Sequence, residues 1–317
     1  MATVKPGWSK PSTILFASEF PANEKAFAFA LAQAAEFGSD LVIFHVYDSV
    51  DIAAQEASPS PSGEYTQARV DKQRFEPLAQ RAGNLGVQCN IVVRPGSAAE
   101  EILAFLRERR VDRVVMGTHS PGPIGKLLVG SVAEAVLRNA TVPVNIVGPN
   151  VVEGAYRHFS ARTILCSVGT NESGHVVAHF AAELAARHNA GLILQYVIPP
   201  QNGEEILAGR TFGQIEAELV SMVPPKLIHK VDVQTRVVLG DPTEELLYQG
   251  RAQHANLIVL GAQGASPFAA ISRAGIVYKV LAYAQCPVIT LSPKVLAECG
   301  AREDHQRPSE LCLAGVF

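Results

Sequence analysis

One feature constrains this chain more than any other: it is written twice. "STILFASEFPANEKAFAFALAQAAEFGSDLVIFHV" (12–46) returns as "RTILCSVGTNESGHVVAHFAAELAARHNAGLILQYV" (162–197), and "VVRPGSAAEEILAFLRERRVDRVVMGTH" (92–119) returns as "VVLGDPTEELLYQGRAQHANLIVLGAQ" (237–263). Each copy closes on a similar run, "ATVPVNIV" (140–147) and "AQCPVITL" (284–291). Ile14 and Ile164 stand 150 apart, Val46 and Val197 stand 151 apart, and Gly117 and Gly261 stand 144 apart, so one connection is seven residues shorter in the second copy. That connection runs from Ser49 to Gly86 in the first copy, where "ASPSPSG" reads as a solvated loop. The chain must therefore fold as two versions of one unit, in keeping with a length of 317 residues.

Within each copy, short Val/Ile/Leu runs alternate with helical patterns, the signature of β-α units around a parallel sheet buried on both faces. The runs predict five strands per copy: 13–18, 41–47, 88–93, 112–117 and 143–147, then 163–168, 192–197, 232–238, 256–261 and 287–291. "SAAE" from Ser97 and "DPTE" from Asp241 each place a capping residue three before a Glu, and the second adds Pro at the first helical position. Gly38 and Asn189 stand where a left-handed helix end is wanted. The expected domains are 10–148 and 161–293, with a linker at 149–160 and a C-terminal tail at 294–317 in which 297–317 shows no usable periodicity.

Composition removes several classes of function. Lys and Arg number 27 against 30 Asp and Glu, net −3, with no long block of either sign, so neither nucleic acid nor an anionic membrane is called for. The start "MATVKPGWSK" lacks the apolar core of a signal peptide, and no window approaches the roughly 18 to 20 apolar residues of a membrane span, so a cytoplasmic location is expected. Cys89, Cys166, Cys286, Cys299 and Cys312 form no C-x-x-C pair and are odd in number, which reads as small buried hydrophobes and not as a disulfide framework.

The functional signal is "MGTHSPGPIGKLLVGS" (116–131), with four glycines and two prolines between an apolar strand and an apolar helix. In a parallel α/β sheet this is a carboxyl end of a strand, where ligands bind beside the reversal of strand order, and the following helix start offers free N–H groups to an anion. The stretch fits neither G-x-x-x-x-G-K-[ST] nor G-x-G-x-x-G. Together with "ILFASEF", "FHVYD", "VRPGSAAEEIL" and "ATVPVNIV" in that order, it resembles the universal stress protein family, whose nucleotide-binding members carry G-x-x-G, nine residues, then G-[ST]. Gly117, Ser120, Gly130 and Ser131 occupy those positions, with serine replacing the second glycine.

The resemblance covers nearly the whole chain twice. It implies tandem Rossmann-like or flavodoxin-like domains of the adenine nucleotide alpha hydrolase-like type, each with a five-stranded parallel sheet, and ATP or AMP as the ligand of a subset of members. It also implies dimeric association, met here by an internal pseudo-dimer of the two copies, with room for a further homodimer of chains; the apolar fifth strands "PVNIV" and "PVITL" are the edges expected to pack. Carried over residue by residue, Ala17 and Glu19 flank the nucleoside, with Glu19 where the family usually has Asp. Val46 and Met116 touch the base, Gly117 and Ser120 allow close backbone approach, Gly130, Ser131 and Val132 face phosphate, and Lys126 neutralises it. In the second copy Ala274, Gly275, Ala270 and Gly169 stand at the positions of Gly130, Ser131, Lys126 and Glu19, so any nucleotide is expected in the first copy alone.

The remaining candidates have plainer readings. Ser131 reads as the N-cap of its helix in a "SVAE" capping box. His175 and His179, four apart, read as a solvated or packed helix face and not a metal site, and His119 as a loop residue. Cys286 reads as buried, and "RERR" (107–110) as basic residues favoured at a helix C-terminus. No catalytic constellation emerges. Three readings stay open: a regulatory nucleotide-binding stress-response protein, a nucleotide-free interaction scaffold, and a slow ATPase.

Overall fold

The structure is a computed structural model that describes residues 4–47, 61–118, 130–152, 162–261 and 275–304. The expected apolar runs form strands β1 (Thr13–Ala17), β2 (Asp40–Tyr47), β3 (Cys89–Pro95), β4 (Arg113–Gly117) and β5 (Val144–Val147) in the first copy. The second copy supplies β6 (Thr163–Ser167), β7 (Gly191–Ile198), β8 (Val233–Leu239), β9 (Leu257–Gly261) and β10 (Val288–Leu291). All ten join one sheet in the order β3-β2-β1-β4-β5-β10-β9-β6-β7-β8. Pairing is parallel within each copy and antiparallel only at the seam, where Ile146, Asn145 and Val144 face Val288, Ile289 and Thr290. The fifth strands thus join the two copies directly, as the internal pseudo-dimer requires. Strand order reverses between β1 and β4 in the first copy and between β6 and β9 in the second.

Alternate residues of each strand supply two cores. Ile14, Phe16 and Val115 face one layer, while Leu15, Ala17, Val114 and Met116 face the other. The first layer holds α1 (Pro6–Ser9), α2 (Glu24–Phe37) and α3 (Pro61–Asn84). On the opposite face of the same copy lie α4 (Ala98–Glu108) and α5 (Ser131–Asn139). In the second copy α6 (Glu172–His188) corresponds to α2, and the shorter α7 (Gly203–Ile206), α8 (Phe212–Ser221) and α9 (Pro225–Ile228) occupy the connection that α3 makes in the first. α10 (Pro242–Ala252) and α11 (Ile276–Tyr283) cover the other face, and α12 (Pro293–Asp304) ends the described chain.

Local chemistry explains most of the helix ends. Asn23 and Asn171 cap α2 and α6, their Oδ1 atoms accepting from Ala26 N at 3.0 Å and Gly174 N at 2.9 Å. Gly38 (φ 64°) and Asn189 (φ 51°) close the same helices in the left-handed region. Asp241 accepts from the amides of Thr243 and Glu244 with Pro242 at the first helical position.

Four expectations need correction. Ser97 occupies the cap position of α4, yet its hydroxyl makes no cap bond; Glu100 and Glu101 bring negative charge to that first turn instead. Ser131 is not a cap. The cap of α5 is Gly130, whose carbonyl accepts from Glu134 N at 3.0 Å, and the Glu134 side chain turns to Arg138 at 2.8 Å, so no capping box forms. The "ASPSPSG" run is not loop throughout, because Pro61 opens α3 in the first turn, where its missing N–H breaks no intrahelical bond. The stretch from 297 is helical at its start: α12 reaches Asp304, and Cys299 joins Val295 and Leu296 in burying one face, while 305–317 lies outside the described residues. Three apolar side chains at helical spacing suffice there, since Ser292 Oγ caps the helix by accepting from Val295 N at 3.1 Å.

The two copies also clasp each other across the first layer. Val4 and Trp8 are buried as α1 packs on α6, and α12 packs on both α6 and α5. Phe37 of α2 meets His188 of α6 edge-on at 5.2 Å, and the buried Arg113 guanidinium lies 5.4 Å from the same Phe37 ring. Beyond β5, Asn150 Nδ2 donates to Ala282 O at 2.8 Å and Val152 N to Gln285 O at 3.0 Å. Gly148 approaches the second copy so closely that a Cβ there would lie 2.4 Å from Leu281 O.

Candidate functional site

A cleft of about 790 Å³ opens at the carboxyl ends of β1 and β4, at the reversal of strand order in the first copy. Of the residues singled out from the sequence, Ala17, Glu19, Val46, Met116, Gly117, Gly130, Ser131 and Val132 all line it. Ser120, Lys126 and His119 lie outside the described residues.

One end of the cleft is apolar. Ala17 and Met116 present buried side chains from β1 and β4, and Ala98 and Ile102 close the wall from α4. Phe44 lines the same end, its ring 4.9 Å from that of Phe105, with the Arg94 guanidinium near both rings at 5.8 and 5.1 Å. At this end the sheet also exposes backbone. Ser18 N donates to Phe44 O at 3.0 Å, so Phe44 faces β1; Val46, two residues on, faces the same way after β1 has ended. Its N–H and C=O therefore stand as an adjacent donor and acceptor with no partner among the described residues, the arrangement that reads the edge of a flat heterocycle.

The other end is a helix start. Gly130 has an ordinary φ of −56°, and a Cβ built on it would meet no described atom within 4 Å. Neither backbone strain nor packing demands glycine here. Among the described residues, glycine leaves space in front of the first turn of α5, where the first N–H groups and the positive end of the helix favour an anion.

Gly117 has a different explanation from the expected approach of a ligand. A Cβ there would come within 2.4 to 2.7 Å of the Asn23 side chain, so the glycine makes room for Asn23. Asn23 in turn ties the start of α2 to the end of β4 by donating from Nδ2 to Thr118 O at 3.4 Å. Sequence reasoning passed over Asn23, although an Asn just before a Glu-led helix is a capping signal. It also passed over Phe44, Lys25 and Thr118, whose place in the cleft depends on contacts between distant segments.

The rim next to Glu19 is held from behind. His45 Nδ1 lies 2.9 Å from Ser18 O, and its Nε2 lies 3.8 Å from the buried carboxylate of Asp71 on α3. Asp71 also accepts from Arg74 Nη1 at 3.0 Å and from Gln67 Nε2 at 2.8 Å.

The second copy builds its equivalent corner differently. The loop from 168 to 171 is two residues shorter than that from 18 to 23, and the Gly169 carbonyl presses on the helix so closely that a Cβ at Gly174 would lie 1.9 Å away. Gln195 takes the place of Phe44; it is buried, and its Oε1 has no partner among the described residues. A polar group thus stands where the first copy has an aromatic wall.

Other candidates resolve as packing. His179 is buried on α6 with Nε2 3.4 Å from Glu183 Oε1, and no group of three or more His, Cys, Asp or Glu suited to a metal ion occurs among the described residues. Cys286 is buried, its thiol pushed up to about 12 by burial; Cys89, half-buried and near Glu76, is pushed up to about 11. Among the described residues no helix is long and apolar enough to cross a membrane.

The sequence model of the universal stress protein family matches this chain at residues 12–148 and again at 160–292. The chain belongs to the universal stress protein family. A universal stress protein of Mycolicibacterium smegmatis is 24% identical over 224 residues, covering 66% of this chain and 70% of the relative. A universal stress protein of Thermus aquaticus is 31% identical over 137 residues, 43% of this chain and 97% of its own, as a single-repeat relative of a two-repeat chain would be. Among solved structures, a universal stress protein of Archaeoglobus fulgidus superposes with a TM-score of 0.65 at 16% identity, covering 90% of this chain and 97% of that one. That likeness extends across both universal stress repeats, in agreement with the tandem Rossmann-like fold.

Proposed function

We propose that this universal stress protein binds an adenine nucleotide, ATP or AMP, in the cleft of its first repeat and uses it as a regulatory ligand. The observation that carries the reading is the pairing, within one cleft, of an apolar slot edged by the free Val46 backbone with the open glycine cradle at Gly130. The base would lie against Ala17, Met116 and Phe44, with its edge on Val46. The Glu19 carboxylate stands on the rim where ribose hydroxyls would need an acceptor. The amides at the start of α5 would take phosphate oxygens, each contact of this kind contributing about 1 kcal/mol. On this reading the domains are 10–148 and 161–293. The second repeat, with its pressed-down loop and Gln195, serves the fold and not the ligand.

Isothermal titration of the full chain with ATP and with AMP tests this. One nucleotide per chain is expected, with binding abolished by Gly130→Lys and retained by Ala274→Lys. The Gly130 variant should melt like the parent, because its new side chain meets no described atom. Binding that persists in Gly130→Lys and disappears in Ala274→Lys would move the site to the second repeat, and no binding to the parent would refute the reading.

A further inference from the structure

Lys25 is left unexplained by the site as described. It is the second residue of α2, in the first turn, where an ammonium opposes the positive end of the helix. It has no carboxylate partner among the described residues, since the neighbouring Glu24 is held by Arg81 in a two-pronged ion pair at 2.6 and 2.9 Å. Its Nζ donates to Pro149 O at 2.8 Å and Val151 O at 2.9 Å. An ammonium has three protons, so one is left, on a side chain that lines the cleft.

A second donor lines the same cleft. Thr118 is 6% exposed, and its Oγ1 has no hydrogen-bond partner among the described residues. Its backbone is fixed on both sides, N to Val147 O at 3.2 Å and O to Asn23 Nδ2, so the residue is positioned before any ligand arrives. The second copy has Ser173 and Ala262 at the corresponding positions, so it carries neither the ammonium nor the threonine hydroxyl there. The first copy therefore adds a cation and a hydroxyl to the donors of the α5 start, and all of them border one cleft.

We infer that Lys25, seconded by Thr118, makes this cleft discriminate by phosphate number, favouring nucleoside di- and triphosphates over monophosphates. The inference rests on the nucleotide reading of the site. One phosphate occupies the amides at the start of α5. A further phosphate brings more negative charge, and the unneutralised ammonium of Lys25 with its third proton is the group in the cleft suited to receive it. Asn23 and the Pro149 and Val151 carbonyls act as positioning groups that hold the two donors.

The test is calorimetric titration of the full chain with ATP, ADP and AMP at fixed ionic strength, on the parent, Lys25→Met, Lys25→Arg, Thr118→Val and Lys126→Met. A preference for ATP over AMP of about tenfold or more is expected in the parent, as one charge-assisted contact supplies. Lys25→Met should lower ATP affinity about tenfold and leave AMP affinity unchanged, with part of the preference restored in Lys25→Arg. Thr118→Val keeps the two carbonyl bonds of Lys25 and removes a buried hydroxyl that has no partner among the described residues, so it should fold at least as stably as the parent and weaken ATP several-fold with AMP unaffected. Equal affinity of the parent for ATP and AMP would overturn the inference and leave the site standing. So would an unchanged ratio in both Lys25→Met and Thr118→Val, or a ratio that collapses in Lys126→Met alone. A parent that binds none of the three would instead overturn the site itself.

Discussion

Asn145 sits on the central seam of the sheet, fully buried, with neither Oδ1 nor Nδ2 hydrogen-bonded among the described residues. Directly across the seam stands Ile289, its own counterpart in the second copy. An unsatisfied buried amide costs about 1 to 3 kcal/mol, and a leucine of similar shape removes that cost without opening a cavity. Asn145→Leu should therefore raise the unfolding free energy by about that amount, read as a higher urea midpoint at unchanged slope. An equal or lower midpoint would mean that the amide has a partner in solution, such as a buried water. Gly130 and Gly117 show how far single residues could be read from the chain. Both stand out by their places in the loop pattern, but only the contacts distinguish them: Gly130 borders no described atom, while Gly117 borders Asn23. A glycine in a sequence states that a side chain is excluded and not what excludes it.

At the scale of elements, the caps of α4 and α10 provide a matched comparison. Asp241 accepts two first-turn amides, whereas Ser97 in the equivalent place accepts none. Asp241→Ala should cost about 1 kcal/mol and Ser97→Ala a few tenths at most, measured by urea unfolding of the two variants. Contact between α2 and α6 makes a second prediction. His188 is held down at about 4 by burial and by the positive charges of Arg113 and Arg187, against an ordinary 6.5. The unfolded chain then takes up the proton as pH falls through about 6.5, and the folded chain only near 4. Stability is complete above that window and is lost as pH drops across it, by at most about 3 kcal/mol. His188→Gln should flatten this loss in unfolding curves taken at pH 7, 5.5 and 4.5.

Elements were the most legible level of this chain. Each strand lies within two residues of its Val/Ile/Leu run, because strands buried on both faces must be apolar at nearly every position. Helix starts were read less well, since Ser97 and Gly130 turn on whether a side chain reaches an amide, which composition does not decide. α12 was missed because its apolar face is only three residues long. The cleft was legible at its strand ends and at Gly130, where local pattern suffices. It was not legible at Asn23, Lys25 and Thr118, which meet only when α2, β4 and the segment after β5 come together.

Over the whole molecule, Gly148 couples cleft and seam. Its neighbour Pro149 lines the cleft, while Gly148 itself leaves no room for a Cβ beside Leu281 O. Gly148→Val should cost about 1 to 3 kcal/mol through overpacking and weaken nucleotide binding as well, since Pro149 is displaced with it. Gly130→Lys should abolish binding at unchanged stability. Melting curves and titrations on the two variants separate these outcomes.

The antiparallel pairing of β5 with β10 has one more consequence. Between two separate chains such a contact would follow the amount of protein in solution. Here the mate is tethered, held at an effective concentration that does not change however little protein is made. The first repeat therefore never lacks its companion, and its response to a ligand should be the same at nanomolar as at micromolar protein. Fusion also frees the two halves from identity. A change in a symmetric pair falls on both partners at once, whereas in this chain each half bears its own substitutions, as Phe44 and Gln195 do at equivalent places in β2 and β7.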